Sequence, residues 1–213
     1  MTRVTAITVG GSATPWQDLG IPTTPVIDGV AYARLGDVAL RIAEAQPPGL
    51  TQLSVSDCPT TVASLNGLSL AHDDEVVLPE IATAPNSFSI RVSGVDHVVV
   101  MADDVRATCA EIERVSGAPL RRVKEGERGV QGFHRWGSLI LEVVERRLVD
   151  PLSPTGAASY WGFVLVVDNI DETAAHLGPD VISAPKAAVQ SGRRIATVRS
   201  GAGLGVPLAL MSH

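Results

Sequence analysis

Two short apolar stretches of the sequence carry side chains that can transfer protons or bind a metal ion. The first reads VDHVVV and contains His97, and the second reads LILEVVE and contains Glu142. An imidazole and a carboxylate together can transfer protons near neutral pH, where imidazole ordinarily titrates. The same two groups are also good ligands for divalent transition metals. We therefore expect any small-molecule site to lie around His97 and Glu142.

Residues 133–136, FHRW, form a dense polar and aromatic tract just before Glu142 and supply candidates for ligand contact. Strand alternation turns two of its four residues towards a pocket, and the alternative for its aromatic members is ordinary packing under a helix. The arginine of this tract and those on the strand before it suit a carboxylate or phosphate, although exposed arginines on sheet edges commonly do nothing specific. The candidate substrate-binding residues are Phe133, His134, Arg135, Trp136, Trp161 and Arg122. The turn at 190–194, QSGRR, is expected at the rim of the same site.

The elements that position these side chains form a repeat. Residues 31–44, AYARLGDVALRIAE, align without gaps on residues 132–145, GFHRWGSLILEVVE, with Arg-x-Gly, an apolar strand and a final Glu at matched positions. Each copy predicts a β-hairpin with its turn at Gly36 or Gly137, because glycine readily takes the positive φ that tight hairpins need. A looser third copy, with a longer glycine-rich turn, spans 194–212.

Strand-to-helix junctions complete the pattern. At 53–65, 98–112 and 163–177, an apolar or β-branched run leads into an acidic turn that can cap a helix. With the hairpins, these junctions predict four units in order, each made of a strand, a crossing helix and two or three antiparallel strands. The predicted fold class is α+β, built from tandem βαβββ modules.

The units group into two predicted domains. The N-terminal domain, 1–92, contains two short, degenerate units, and the C-terminal domain, 93–213, contains two fuller ones. In the short units we expect brief helices around 12–20 and 59–67.

Composition excludes several classes of partner. The net charge of −6 includes no basic block that could neutralise phosphates, so a nucleic-acid partner is not expected. No apolar run approaches the ~20 residues that cross a bilayer, and the first residues lack the apolar core of a secretory signal. Two cysteines at unrelated positions, Cys58 and Cys109, predict free thiols and a cytoplasmic protein. The expected partner is a small-molecule ligand, and the expected state is a monomer or homodimer.

A tandem βαβββ unit with V-D-H-V-V-V on its first strand and L-I-L-E-V-V-E on its last resembles the vicinal oxygen chelate superfamily. That group includes glyoxalase I, bleomycin-resistance proteins, extradiol dioxygenases and several epimerases. The resemblance covers residues 94–212 well and the first two units weakly. It implies βαβββ modules that form curved mixed sheets around a cleft, with helices on the outer face. Any metal would be held by the first and last strands of each unit. Carried over to this sequence, it implies His97 and Glu142 as ligands of Zn²⁺, Fe²⁺, Mn²⁺ or Ni²⁺, or a related site without metal.

The other units depart from that ligand pattern. In the fourth unit, Gly162 aligns with His97 and Leu210 aligns with Glu142, and neither offers a ligand. In the first unit, Arg41 aligns with Glu142. Two ligands make a poor metal site unless another side chain, such as His134, completes it. The alternative is a metal-free acid/base pair.

The sequence therefore predicts a glyoxalase-like enzyme, of the lyase, isomerase or dioxygenase type, acting on a small oxygen-bearing metabolite. A second reading comes from a different class of protein. It is a non-catalytic binder that sequesters a hydrophobic or planar compound, as bleomycin-resistance proteins do. The missing ligands and the apolar set Phe133, Trp136 and Trp161 motivate this alternative.

Overall fold

The structure is a computed structural model that describes residues 1–72, 88–127 and 129–213. The end predicted for the second unit falls partly on 73–87 and so lies outside the described residues. Two mixed sheets make up most of the described chain. The strands of the six-stranded sheet are β1 (Arg3–Gly10), β2 (Val30–Leu35), β3 (Val38–Ala43), β4 (Gly49–Ser56), β5 (Ser64–Leu65) and β6 (Leu68–His72).

An eight-stranded sheet contains the C-terminal strands. They are β7 (Val92–Ala102), β8 (Leu120–Gly126), β9 (Gly129–Trp136), β10 (Leu139–Glu145), β11 (Ser159–Val167), β12 (Lys186–Ala187), β13 (Arg194–Thr197) and β14 (Leu208–Met211). The helices are α1 (Thr14–Asp18), α2 (Val105–Ser116), α3 (Arg146–Val149) and α4 (Ile170–Leu177), with a 3₁₀ turn at Ser200–Ala202. None of the helices in the described ranges is long and apolar enough to cross a membrane.

The strand order of the larger sheet is that of two βαβββ modules. Its order is β12-β13-β14-β11-β7-β10-β9-β8. Within each module the first and last strands are parallel neighbours, β7 with β10 and β11 with β14, while the remaining strands are antiparallel. The two modules meet through the antiparallel pair β7 and β11. The predicted α+β class with tandem βαβββ modules and curved mixed sheets is confirmed.

The smaller sheet follows the same plan with fewer elements. Its order is β2-β3-β1-β4-β6-β5, with β1 parallel to β3, β4 parallel to β6, and β1 antiparallel to β4. The short helix expected around 12–20 forms as α1, with a proline in its first turn. These strands therefore repeat the arrangement of the larger sheet in reduced form.

The helix expected around 59–67 does not form, and that prediction was wrong. The segment contains Pro59 and three consecutive β-branched residues, which favour helix weakly. Its end, Asn66-Gly67, takes positive φ values of 47° and 97° and turns β5 back onto β6. An Asn-Gly pair with positive φ at both residues is a tight hairpin turn, which has no helical counterpart.

The glycine turns predicted from the repeat are present. Gly36 joins β2 to β3 at φ 69°, and Gly137 joins β9 to β10 at φ 66°. A side chain at Gly36 would place its Cβ 2.3 Å from the carbonyl oxygen of Ser93, so this turn also packs closely against the start of β7. The third copy pairs β13 with β14 through the longer turn at 198–207.

One hydrophobic cluster lies against one face of both sheets. It joins Ile7 and Leu53 of the smaller sheet to Val98 and Leu141 of the larger one, with Ile112 of α2 among them. Trp16 of α1 stacks on Phe163 of β11 with ring centroids 6.1 Å apart. We call the opposite face of each sheet its concave face. In the larger sheet the register places on it His97, Val99, Met101, Ile140, Glu142 and Val144.

Candidate functional site

His97 and Glu142 lie next to each other on the concave face of the eight-stranded sheet. β7 and β10 are parallel neighbours, and Glu142 pairs with Val99, two residues along β7 from His97. Nε2 of His97 is 3.5 Å from Oε2 of Glu142, and the two side chains are 14% and 17% exposed. The structure therefore brings together the two residues that the sequence singled out, in a partly buried position that a small molecule could reach.

Asp96 occupies the other side of the imidazole. Its Oδ2 lies 2.7 Å from Nδ1 of His97, and its Oδ1 accepts a hydrogen bond of 2.5 Å from Nη1 of Arg193. β7 and β11 shift register between Val95 and His97, which leaves Asp96 unpaired in the ladder. Arg193 is itself held by a 2.7 Å hydrogen bond from its Nε to the carbonyl of Ser212.

The pKa values of the two carboxyl groups beside His97 are shifted in opposite directions. Burial would raise the pKa of Asp96, but hydrogen bonds and charge from His97 and Arg193 outweigh it and hold that pKa below its ordinary value. Burial raises the pKa of Glu142, and the nearby charges of His97 and Lys124 only partly offset the effect. The shifts thus favour the ionised form of Asp96, and they favour the protonated form of Glu142 more than in an ordinary glutamate.

The contact with Asp96 favours one of the two tautomers that His97 can adopt when its imidazole is neutral. An ionised carboxylate can only accept, so the short contact with Asp96 requires the proton on Nδ1. Nε2 is left with its lone pair directed to the side of Glu142. Oε1 of Glu142 accepts a 3.0 Å hydrogen bond from Nε2 of Gln131, which fixes that carboxyl group. A base and a weak acid therefore face each other across 3.5 Å.

A complete metal site does not fit the corresponding positions of the fourth unit. Gly162 matches His97 by its place before the core residue Phe163, and a Cβ there would lie 2.3 Å from the carbonyl oxygen of Pro207. No ligand side chain has room at that position. Among the residues the structure describes, no group of three or more His, Cys, Asp or Glu side chains is placed to hold a metal ion.

The partner of Glu142 in that unit is Ala209, and the assignment to Leu210 was wrong. Glu142 pairs with Val99 on the concave face, and Ala209 pairs with Val164 on the same face. Leu210 is fully buried in the core cluster on the opposite face. The longer turn between β13 and β14 displaces the sequence alignment by one residue, and a one-residue shift changes the face of a strand. Neither residue offers a metal ligand.

Phe133, Arg135 and Arg122 share the face of Glu142. Phe133 pairs directly with Glu142, and Arg122 pairs with Phe133 on the next strand. Arg135 pairs with Ile140 and donates a 3.0 Å hydrogen bond to the carbonyl of Ser138. Both arginines are exposed, so they stand at the outer side of the site and not inside it.

His134 and Trp136 face the core, so their assignment to the site was wrong. Each is 1% exposed and alternates with Phe133 and Arg135 along β9. His134 pairs with Leu141, and its Nδ1 lies 3.0 Å from the carbonyl oxygen of Ala118 under α2. Burial lowers the pKa of His134. Its place on the core face, opposite to the face of His97 and Glu142, excludes it as a third ligand.

Trp161 lies at an irregularity of β11 and is half-buried. The register of β11 against β7 shifts between Tyr160 and Gly162, so Trp161 has no pairing partner there. Its neighbour along the strand, Tyr160, pairs with Val100 and so stays in the ladder. The structure therefore does not bring Trp161 into the ladder that holds His97 and Glu142.

Sequence reasoning missed Asp96, Gln131 and the contact made by Arg193. Asp96 directly precedes His97, and a carboxylate beside a candidate histidine is a usable signal. Gln131 lies two residues before Phe133 and so on the same face. Arg193 belongs to the turn that the sequence placed at the rim, but its contact with Asp96 joins residues 97 positions apart.

No family model matches the sequence, and no curated protein matches it. In structure, the chain is similar to a mutant of 4-hydroxymandelate synthase from Streptomyces coelicolor, with a TM-score of 0.64 and 13% identity over 99% of this chain and 92% of that chain. It is also similar to a xylose isomerase-like TIM barrel/4-hydroxyphenylpyruvate dioxygenase fusion protein, with a TM-score of 0.65 and 10% identity. That match covers 99% of this chain but only 48% of the fusion protein.

Methylmalonyl-CoA epimerase from Mycobacterium tuberculosis matches 57% of the chain and 88% of its own length, with a TM-score of 0.47 and 14% identity. The two matches that cover 99% of this chain show that its fold is that of the vicinal oxygen chelate superfamily.

Proposed function

We propose that the chain is an enzyme of the glyoxalase-like kind that moves a proton on a small, oxygen-bearing metabolite without a metal ion. The observation that carries this proposal is the row Asp96, His97 and Glu142, in which one imidazole lies between a carboxylate held ionised and a carboxyl group with a raised pKa. Such a pair of differently tuned carboxyl groups is the arrangement that separates base from acid.

The reaction class follows from these roles. Nε2 of His97 removes a proton from a carbon next to a carbonyl group. The electron pair of that C–H bond forms the carbon–carbon double bond of an enolate, and the π pair of the carbonyl group moves onto its oxygen. Asp96 stabilises the imidazolium that forms. Protonated Glu142 donates to the oxygen or returns a proton to carbon, which gives an isomer or epimer of the substrate. The overall change conserves atoms and electrons and needs no oxidant.

Hydrogen–deuterium exchange tests this function without knowledge of the natural substrate. The full chain is incubated in D₂O with 2-oxo acids, 2-hydroxy ketones and α-branched acyl thioesters, and loss of the proton signal is followed by NMR. We expect exchange in at least one class, with a loss of about 10²-fold or more in His97→Ala and in Glu142→Gln. Arg121→Ala, at an exposed position on β8, should exchange like the wild-type chain. Exchange that persists in both site variants would refute the proposal.

The metal content of the purified protein tests the metal-dependent alternative separately. With two donors at four positions, purified protein should contain less than about a tenth of an equivalent of divalent metal. Added Zn²⁺, Fe²⁺, Mn²⁺ or Ni²⁺ should not increase the exchange rate. A stoichiometric metal that is lost in His97→Ala would contradict the metal-independent assignment.

A non-catalytic binder is the second candidate, and the apolar surroundings of the site favour it. Phe133 stands beside Glu142, and Val99, Met101 and Val144 line the same face. Val99, Met101 and Val144 are already nearly buried, so a planar apolar compound would cover mainly the half-buried ring of Phe133. A compound that binds with micromolar affinity and is recovered unchanged and undeuterated after long incubation would support this reading over the enzymatic one.

A further inference from the structure

Arg41 occupies, in the six-stranded sheet, the place that Glu142 occupies in the larger one. The gapless repeat aligns the two residues, and the register agrees, since Arg41 pairs with Tyr32 and Thr8 as Glu142 pairs with Phe133 and Val99. Ile7 and Leu40, the neighbours of Thr8 and Arg41, are in the core cluster. Arg41 therefore projects from the concave face of the smaller sheet.

The guanidinium of Arg41 has no partner within the described ranges. No hydrogen bond or ion pair is made to it, although it is only partly accessible to solvent. Most half-buried arginines are paired, because a cation removed from water loses hydration that a neighbouring carboxylate must replace. None of the residues that the register of β1 to β4 and β6 places on this face is acidic.

Hydroxyl and amide groups surround this cation. Thr8, the β1 neighbour of Arg41, is 2% exposed, and its Oγ1 is one of the buried polar atoms without a partner. Gln52 pairs with Thr8, and its Nε2 donates to Oγ of Ser69 at 3.1 Å. Ser54, also buried, lies two residues further along β4 on the same face.

A bound anion would supply the partners that both Arg41 and Thr8 lack. An oxyanion over this face would accept from the guanidinium fork and from the Thr8 hydroxyl, and so would satisfy the unpaired cation and the unpaired buried donor together. Arg34, exposed and on the same face as Arg41 by its pairing with Ala39, adds a second positive charge at the edge. We propose that the concave face of the six-stranded sheet is a binding site for a small carboxylate- or phosphate-bearing molecule, with Arg41 as its anchor.

The proposal does not depend on the chemistry of His97, because it concerns a different sheet and the opposite charge. The probes are inorganic phosphate and succinate, titrated into the full ¹⁵N-labelled chain at low ionic strength and followed by NMR. We expect shifts of the backbone amides of Thr8, Arg41 and Gln52 with at least one probe. If phosphate alone binds, the natural ligand carries a phosphate; if succinate alone binds, it carries a carboxylate.

Variants decide whether Arg41 is the anchor. Arg41→Gln removes the charge but leaves a polar, though shorter, side chain, and it should weaken binding at least about tenfold. Arg41→Lys keeps the charge but lacks the planar fork, so it should weaken binding about three- to tenfold. Arg121→Ala, which removes an exposed arginine from the other sheet, should bind like the wild-type chain. Circular dichroism confirms that each variant is folded. Absence of binding by both probes, or equal weakening in Arg41→Gln and Arg121→Ala, would overturn the proposal.

Discussion

Nε2 of His97 lies 3.5 Å from Oε2 of Glu142, which is too long for a strong hydrogen bond. On the other side of the ring, Nδ1 of His97 is held by Asp96 at 2.7 Å. The imidazole is thus fixed from one side and free on the other. A substrate group placed near Nε2 would meet a base and a proton donor together.

Replacing Asp96 by asparagine should change the tautomer of His97. The carboxylate requires a proton on Nδ1, whereas the asparagine amide can also donate to Nδ1 and so permits the proton to move to Nε2. Long-range ¹⁵N–¹H NMR of the imidazole should show an Nδ1–H form in the wild-type chain and a mixture in Asp96→Asn. Exchange activity should fall about 10²- to 10⁴-fold.

Asp57→Asn is the matched control, since Asp57 is an exposed carboxylate paired with Arg3. It should leave the tautomer and the activity unchanged. If Asp96→Asn retains a pure Nδ1–H tautomer together with a large loss of activity, Asp96 acts in some way other than by orienting His97.

Glu142→Gln should stabilise the chain at neutral pH. Because the folded-state pKa of Glu142 is raised above its ordinary 4.5, the native state binds the proton more tightly than the unfolded state does. The free energy of unfolding of the wild-type chain therefore falls once the pH exceeds 4.5, and this loss reaches its full size above the folded-state pKa. The glutamine removes the buried charge, accepts from Gln131 in the same way, and should gain about 1 kcal/mol at pH 8.

Urea unfolding of both chains between pH 4.5 and pH 8 measures this difference. The gain should shrink steadily as the pH falls towards 4.5, where both states of the wild-type chain hold the proton. A variant that is less stable than the wild-type chain at pH 8 would show that the charge of Glu142 is a net stabilising partner of His97.

Gly162→Ala should destabilise the protein substantially. A Cβ at Gly162 would lie 2.3 Å from the carbonyl oxygen of Pro207, and the neighbouring Phe163 amide donates to that same oxygen at 3.2 Å. The backbone of β11 or of the turn before β14 must move, at a cost of about 2–3 kcal/mol or more. Gly94→Ala is the control, because it is also a strand glycine but has open space around its Cβ position.

Thermal unfolding of the two variants tests this contact. We expect a clear fall in Tm for Gly162→Ala and little change for Gly94→Ala. Equal Tm values would mean that the strand can relax around a side chain, and a histidine at 162 could then be used to rebuild a metal site.

Local signals explain why some of the fold could be predicted. The turns at Gly36 and Gly137 depend on a single φ angle and on the period of two in each strand, and both are visible in the sequence. The adjacency of His97 and Glu142 followed from the order of strands in a known module. The helix expected around 59–67 failed because a local Asn-Gly hairpin outweighed a weak helical pattern.

The errors at the site were errors of strand register, because the sequence does not determine strand register across a long loop. Counting residues through the turn before β14 displaced the alignment by one, and Leu210 took the place of Ala209. The face of His134 depends on pairing with Leu141, and the contact of Arg193 with Asp96 depends on the antiparallel union of two modules. Each is a product of the assembled sheet.

His134 should make stability fall in mild acid. Burial, only partly offset by the hydrogen bond to Ala118, lowers its pKa below the ordinary 6.5, so the unfolded state takes up a proton that the folded state resists. Stability is therefore full above pH 6.5, falls as the pH drops below it, and stops falling from this cause below the folded-state pKa. His134→Asn can keep a donor to the carbonyl of Ala118 but cannot be protonated.

Urea midpoints of the wild-type chain and His134→Asn, measured from pH 8 to pH 5, isolate this effect. We expect the variant to lose less stability than the wild-type chain between pH 6.5 and pH 5, even if it is less stable at pH 8. His213→Asn, at an exposed terminal histidine, should follow the wild-type profile. Parallel profiles for the wild-type chain and His134→Asn would show that the buried imidazole accepts a proton as readily as an unfolded one, with Nε2 finding an acceptor on protonation.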